Sequence, residues 1–250
     1  MSSRVQVVVH PGRQALSDAA GARLLTALLD AQAARGQAHV VLTGGSMGSA
    51  VIASLLADAG HHAVDWTKAW VWWGDERFLA AGDDDRNDTQ NDAAGLGRLG
   101  LDPTRVMRVA GPDSSASAEH SARAYAAALG DHPDTLFDIV LLGVGPDGHV
   151  ASLFPLHPAQ RTDGVDAVAV HESPKPPPDR VSMTFDRLNR AREVWFLVAG
   201  ADKAVAVAAA LAPGTDRWEV PASGVHGTEA TRWLLDADAA SALDLTPPPA

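Results

Sequence analysis

The chain has 250 residues, enough to bury one sizeable core in a single α/β domain. Its 20 Lys and Arg stand against 31 Asp and Glu, a formal charge of −11, which repels nucleic acid and anionic membrane surfaces and leaves any anion-binding pocket to a local cluster of cations. Cysteine is absent, which excludes disulfides, thiol catalysis and cysteine-based zinc or iron–sulfur sites, and the histidines form no metal spacing such as H-E-x-x-H.

Strand-like and helix-like stretches alternate along the chain, the pattern of parallel β-α units. Val5–His10 reads as the first strand, and the start lacks the apolar core of a signal peptide. Ser17–Arg35 repeats Leu at helical spacing, with Ser17 or Asp18 as N-cap and Gly36 as the stop. His39–Thr43 is a second strand, Gly44-Gly45-Ser46 a turn and Gly48–Asp58 a helix. His61-His62 lies in a short polar loop, Trp66–Trp73 is an aromatic strand, Asn87–Leu96 a helix, Arg105–Val109 a strand and Ser117–Leu129 an Ala-rich helix. Phe137–Leu142 is an apolar run of the kind buried in parallel sheets, Val165–His171 and Val194–Ala199 are strands, and Asp202–Leu211 and Thr231–Ser241 are helices. No apolar run reaches the ~20 residues that span a bilayer. The expectation is a cytoplasmic protein with one domain over residues 1–245 and a mobile Pro-rich tail at 246–250.

Five segments carry candidate chemistry. After the run to Leu142 comes Gly143-Val144-Gly145-Pro146-Asp147-Gly148-His149, at the carboxyl end of a parallel strand, where α/β sheets collect ligands. His149 is placed to act as a base, since an imidazole accepts protons near neutral pH; a surface histidine in a polar turn is an even competitor on this segment alone. Gly44-Gly45-Ser46 opens a helix, where backbone N–H groups and the dipole suit a phosphate, although Gly-Gly also serves as a bare tight connection. Asp75-Glu76-Arg77 leaves a strand end; Arg77 suits a developing oxyanion, and a solvated loop is the plainer reading. Ser173–Arg180 is stiffened by proline, so Lys175 and Arg180 are pre-ordered as a clamp or as a rigid surface loop. Lys203 stands in the first turn of a helix, where the dipole disfavours a cation unless an anion binds there.

Taken in order, the Gly-Gly-Ser turn, Trp73-Gly74-Asp75-Glu76-Arg77, Gly145-Pro146-Asp147-Gly148-His149-Val150-Ala151-Ser152-Leu153-Phe154-Pro155, Ser173-Pro174-Lys175-Pro176-Pro177-Pro178-Asp179-Arg180 and Gly200-Ala201-Asp202-Lys203 resemble the 6-phosphogluconolactonase family. The resemblance runs from about strand two to the last helix. Asp84-Asp85-Arg86-Asn87 also resembles the family's acidic loop before a helix, whereas Met47-Gly48 stands where the family commonly has Thr-Pro. The resemblance implies a three-layer α/β/α, Rossmann-like fold with a mostly parallel sheet flanked by helices. The implied reaction is hydrolysis of 6-phospho-D-glucono-1,5-lactone, in the oxidative pentose phosphate pathway, without metal or other cofactor. In that scheme His149 is the general base, Arg77 stabilises the carbonyl oxygen, and Asp75 and Asp147 orient groups. Gly44, Gly45, Ser46, Arg180, Lys203 and Lys175 hold the phosphate. The same fold implies two alternatives, a glucosamine-6-phosphate deaminase and a non-catalytic sugar-phosphate-binding module. The deaminases carry a glutamate where this chain has Phe154. The expected partner is the small sugar phosphate alone, with no nucleic acid or membrane, on a monomer or weak homodimer.

Overall fold

The computed structural model describes residues 4–130 and 136–244, so the Pro-rich tail at 246–250 lies outside the described residues. Its strands are β1 Arg4–His10, β2 Ala38–Leu42, β3 Ala69–Trp73, β4 Asp75–Arg77, β5 Ile139–Leu142, β6 Ala167–Val170, β7 Arg180–Met183, β8 Glu193–Val198 and β9 Ala230–Asp236. Its helices are α1 Arg13–Arg35, α2 Gly45–Ala57, α3 Asn87–Ala93, α4 Ala118–Gly130, α5 Phe185–Leu188 and α6 Ala204–Leu211, with short 3₁₀ turns between them.

A six-stranded sheet in the order β1-β9-β8-β5-β2-β3 is parallel at every pairing. Its central strands are apolar on both faces, and alternate residues feed two cores. Val41, Trp72, Val140, Phe196 and Trp233 meet Ala122, Tyr125 and Leu129 of α4 and Val207 of α6 on one face. Val40, Val71, Trp73, Leu141, Trp195 and Leu234 meet Leu24, Leu28, Val51 and Ile52 of α1 and α2 on the other. This is the three-layer arrangement expected. Among the described residues, no helix is long and apolar enough to cross a membrane.

A smaller antiparallel sheet, β4-β7-β6, lies past the carboxyl end of β3. Gly74 joins the two sheets: its N–H donates to the Leu42 carbonyl of β2 at 3.1 Å, and its carbonyl accepts from Met183 of β7 at 2.8 Å. This hinge carries Asp75 and Arg77 from the strand end into the ligand-binding region.

Several elements differ from expectation. Thr231–Ser241 is not a helix: its first part is β9, hydrogen-bonded on both sides to β1 and β8. A strand buried on both faces shows no alternation, and the Ala-rich stretch after Asp236 mimicked helical composition. Arg105–Val109 forms only an isolated bridge from Val106 to Val71 beside β3. Strand β7 follows directly on the prolines of residues 174–178, which hid its start. Helix α1 begins at Arg13 with Gly12 as N-cap, and Ser17 lies inside it, donating to the Gln14 carbonyl at 2.9 Å. Helix α2 begins at Gly45, within the expected turn, so Gly45 and Ser46 are themselves its first residues.

Candidate active site

A cleft of about 310 Å³ opens at the carboxyl ends of β2, β3 and β5, between the α2 N-terminus and the Pro-rich loop. Gly44, Gly45, Asp75, Arg77, His149, Lys175, Arg180 and Lys203 all line it. An adjoining recess, sharing Gly44, Gly45 and Lys203, takes Ser46 and Met47. Four of these side chains are cations in a chain of charge −11, so the positive field is gathered locally, as an anionic ligand requires.

The turn after β5 is tight because Gly148 has φ +84 and its N–H closes on the Gly145 carbonyl at 2.9 Å. Gly145 also lies flush against the imidazole, since a Cβ there would stand 1.9 Å from His149 Nδ1. His149 Nδ1 and Asp147 Oδ1 are 2.5 Å apart, with Lys175 Nζ 3.3 Å from the same nitrogen and 3.5 Å from Asp147 Oδ1. Burial pushes the Asp147 carboxyl up, but the His149 hydrogen bond, the His149 charge and Lys175 outweigh it and hold it well below the usual carboxylate range. An ionised Asp147 accepts the Nδ1 proton, which makes Nε2 the lone-pair nitrogen. Lys175 therefore stands beside the His–Asp pair; burial lowers its pKa, Asp147 opposes that, and Lys203 and Arg180 add repulsion.

Opposite this pair, β4 and β7 place Arg77 directly across from Arg180. Facing guanidinium groups repel, and their pairing makes sense where an anion lies between or beside them. Arg77 donates through Nη1 to the Asp85 carbonyl, while its buried Nε has no partner among the described residues. Arg180 is more committed. It is 4% exposed and donates from Nε to the Pro177 carbonyl (3.2 Å), from Nη2 to the carbonyls of Lys175 (3.1 Å) and Pro176 (2.9 Å), and from Nη1 to Ser152 Oγ (3.5 Å). Four of its five N–H groups thus brace the Pro-rich loop and its floor. Burial pulls its pKa down; Asp75 counters this and Arg77 adds to it.

Asp75 is buried and accepts from Ser152 Oγ at 2.6 Å and from Asn87 Nδ2 at 3.2 Å. These bonds fix Asp75 to Ser152 and Asn87 at the floor of the cleft. Because side chains alternate on β4, Glu76 points away from the cleft and caps α3, accepting from Asn87 N at 2.7 Å and Asp88 N at 2.9 Å. Burial, then the Asp88 charge, pushes Glu76 up to about 7, against Arg86 and the two backbone donors. Asn87, Ser152 and Glu76 were not singled out from sequence. The alternation along Asp75-Glu76-Arg77 and the acidic loop before Asn87 were the signals available. Lys203 pairs with Asp202 at 2.9 Å in an exposed contact that a ligand can displace. Among the described residues no group of three His, Asp or Glu side chains is placed to hold a metal.

Gly44 is required for space rather than for dihedral freedom. A Cβ at Gly44 would stand 1.8 Å from Asn87 Oδ1 and 2.4 Å from its Cγ. Gly44→Ala is expected to push Asn87 off Asp75 and lower turnover by at least about tenfold, whereas Gly97→Ala, with nothing within 4 Å, leaves it unchanged. Equal rates for both variants would show that Asn87 plays no part in the site.

A parallel α/β/α sheet with a basic cleft at its strand ends, a His–Asp pair in its wall and a helix N-terminus beside it is the arrangement of a small-molecule protein whose cleft suits an anionic ligand. The description "Glucosamine-6-phosphate isomerases/6-phosphogluconolactonase" matches residues 11–233. The 6-phosphogluconolactonase of Streptomyces coelicolor is 48% identical over 259 residues, covering 99% of this chain and 99% of its own. That of Mycobacterium tuberculosis is 44% identical, covering 97% of this chain and 99% of its own. The solved 6-phosphogluconolactonase of Trypanosoma brucei, 26% identical, superposes with a TM-score of 0.82 over 97% of this chain and 100% of its own. The chain belongs to the glucosamine-6-phosphate isomerase and 6-phosphogluconolactonase family, as its motifs led us to expect.

Proposed function

We propose that this chain hydrolyses 6-phospho-D-glucono-1,5-lactone to 6-phosphogluconate, in the cytoplasm and within the oxidative pentose phosphate pathway. The observation that carries the reading is the His149–Asp147 contact of 2.5 Å at the wall of a cation-lined cleft. Nε2 of His149 takes a proton from water as the water oxygen bonds to C1, and the carbonyl electrons move onto the carbonyl oxygen. Arg77, whose side chain lines the cleft, is the group assigned to that oxyanion. Collapse breaks the bond from C1 to the ring oxygen, which takes the proton back from the imidazolium and becomes the C5 hydroxyl. Lys203, Ser46 and the α2 N-terminus, aided by the fifth N–H of Arg180, hold the 6-phosphate, and Lys175 keeps Asp147 ionised beside the base.

The family match and the lactonases at 48% and 44% identity support this chemistry over deamination. Phe154 offers no carboxylate for a proton transfer during ring opening. The partner is the sugar-phosphate lactone alone, with no nucleic acid, on a monomer or weak homodimer. Purified chain is expected to accelerate loss of the phosphorylated lactone well above its spontaneous hydrolysis and to release no ammonia from glucosamine 6-phosphate. Lactone loss at the spontaneous rate, or ammonia at a comparable rate, would sink the reading.

A further inference from the structure

We infer that Phe154 is a positioning residue that holds the base and the loop-bracing arginine against one aromatic ring. The inference rests on the lactonase reading. Phe154 is fully buried yet belongs to neither main core; it packs with Ala159, Val170 and Val168 in a small separate cluster beneath the cleft. Its ring centroid is 4.7 Å from that of His149, at 37°, and the Arg180 guanidinium carbon lies 5.4 Å from the same ring. Its own backbone is tied down, because Gln160 Nε2 donates to the Phe154 carbonyl at 2.6 Å and to the Trp218 carbonyl at 3.1 Å.

Among the described residues the polar contacts of the His149 ring sit at Nδ1, so by themselves they leave the ring free to tilt about that edge. A flat apolar face removes that freedom and keeps Nε2 aimed at one place. Arg180 uses the same ring: its donors run to the loop and to Ser152, while its guanidinium carbon lies over the aromatic. One buried side chain thereby ties the angle of the base to the loop that carries Lys175. Catalysis loses rate steeply when a reacting group moves by about 1 Å, so a contact of this kind acts on kcat without touching substrate.

The test is a double-mutant cycle on the full chain with Phe154→Leu, which stays apolar but has no flat face, together with His149→Gln. Phe154→Leu is expected to lower kcat about tenfold on both the phosphorylated and the plain lactone, and less than about twofold once His149 is already Gln. Phe154→Tyr, which keeps the ring, is expected to retain rates near those of the unaltered chain. NMR relaxation of the His149 ring gives a readout independent of turnover: one rigid ring orientation in the unaltered chain and a mobile ring in Phe154→Leu, with the Nδ1–H tautomer kept in both. A cycle in which the Phe154→Leu loss is the same with and without His149, or an unchanged ring mobility, overturns the inference. Absence of lactone hydrolysis by the unaltered chain instead removes the lactonase reading, and the NMR comparison still decides the positioning role.

Discussion

His149→Ala and His149→Gln are each expected to hydrolyse the lactone about 10²–10⁴ times more slowly than the unaltered chain, the usual loss when a general base is removed. Neither change touches the cations that face the phosphate, so KM is expected to stay within a few-fold. Glutamine is the sharper variant because it still fills the space between Gly145 and Phe154 and can still donate to Asp147, yet it accepts no proton from water. Steady-state kinetics corrected for spontaneous hydrolysis provide the measurement. A His149→Gln rate within a few-fold of the unaltered chain would take His149 out of the mechanism and favour a chain that binds sugar phosphates without turning them over.

The sequence showed its site more clearly than its sheet. The run into Gly143 and the turn to His149 were legible because a buried parallel strand followed by glycines is distinctive in both composition and punctuation. The fold class followed from alternation, and the comparison with solved relatives agrees with it. Element identity failed where burial erased periodicity, as in β9, and where proline sat against a strand, as before β7. The sequence offers Arg180 as a pre-ordered clamp or as part of a rigid surface loop. Only the fold reveals that most of its donors are turned onto the loop. Asn87, Ser152 and Glu76 carry no legible role within their motifs, because each acts through Asp75 or a helix cap across a long sequence separation. No local spacing marks such a partner.

That distinction separates two cations previously grouped as equivalent phosphate ligands. Among the described residues the Lys203 ammonium pairs with Asp202 alone, a partner 65% exposed, so it is the cation most available to a bound anion. A charge-assisted hydrogen bond contributes about 1.5–3 kcal/mol, so Lys203→Ala is expected to lower kcat/KM for the phosphorylated lactone by about ten- to a hundredfold. On plain glucono-1,5-lactone it should change little, since no phosphate is there to lose. Arg180→Ala should behave otherwise. Its removal leaves the carbonyls of Lys175, Pro176 and Pro177 without their donor and frees the loop that carries Lys175 to the His149–Asp147 pair. Both substrates should therefore lose rate, with the larger loss on the phosphorylated one. The discriminating quantity is the ratio of kcat/KM between the two lactones, which should fall far more in Lys203→Ala relative to any loss on the plain lactone. If Lys203→Ala slows both lactones equally, Lys203 serves the reacting centre or the fold, and the phosphate must be held elsewhere in the cleft.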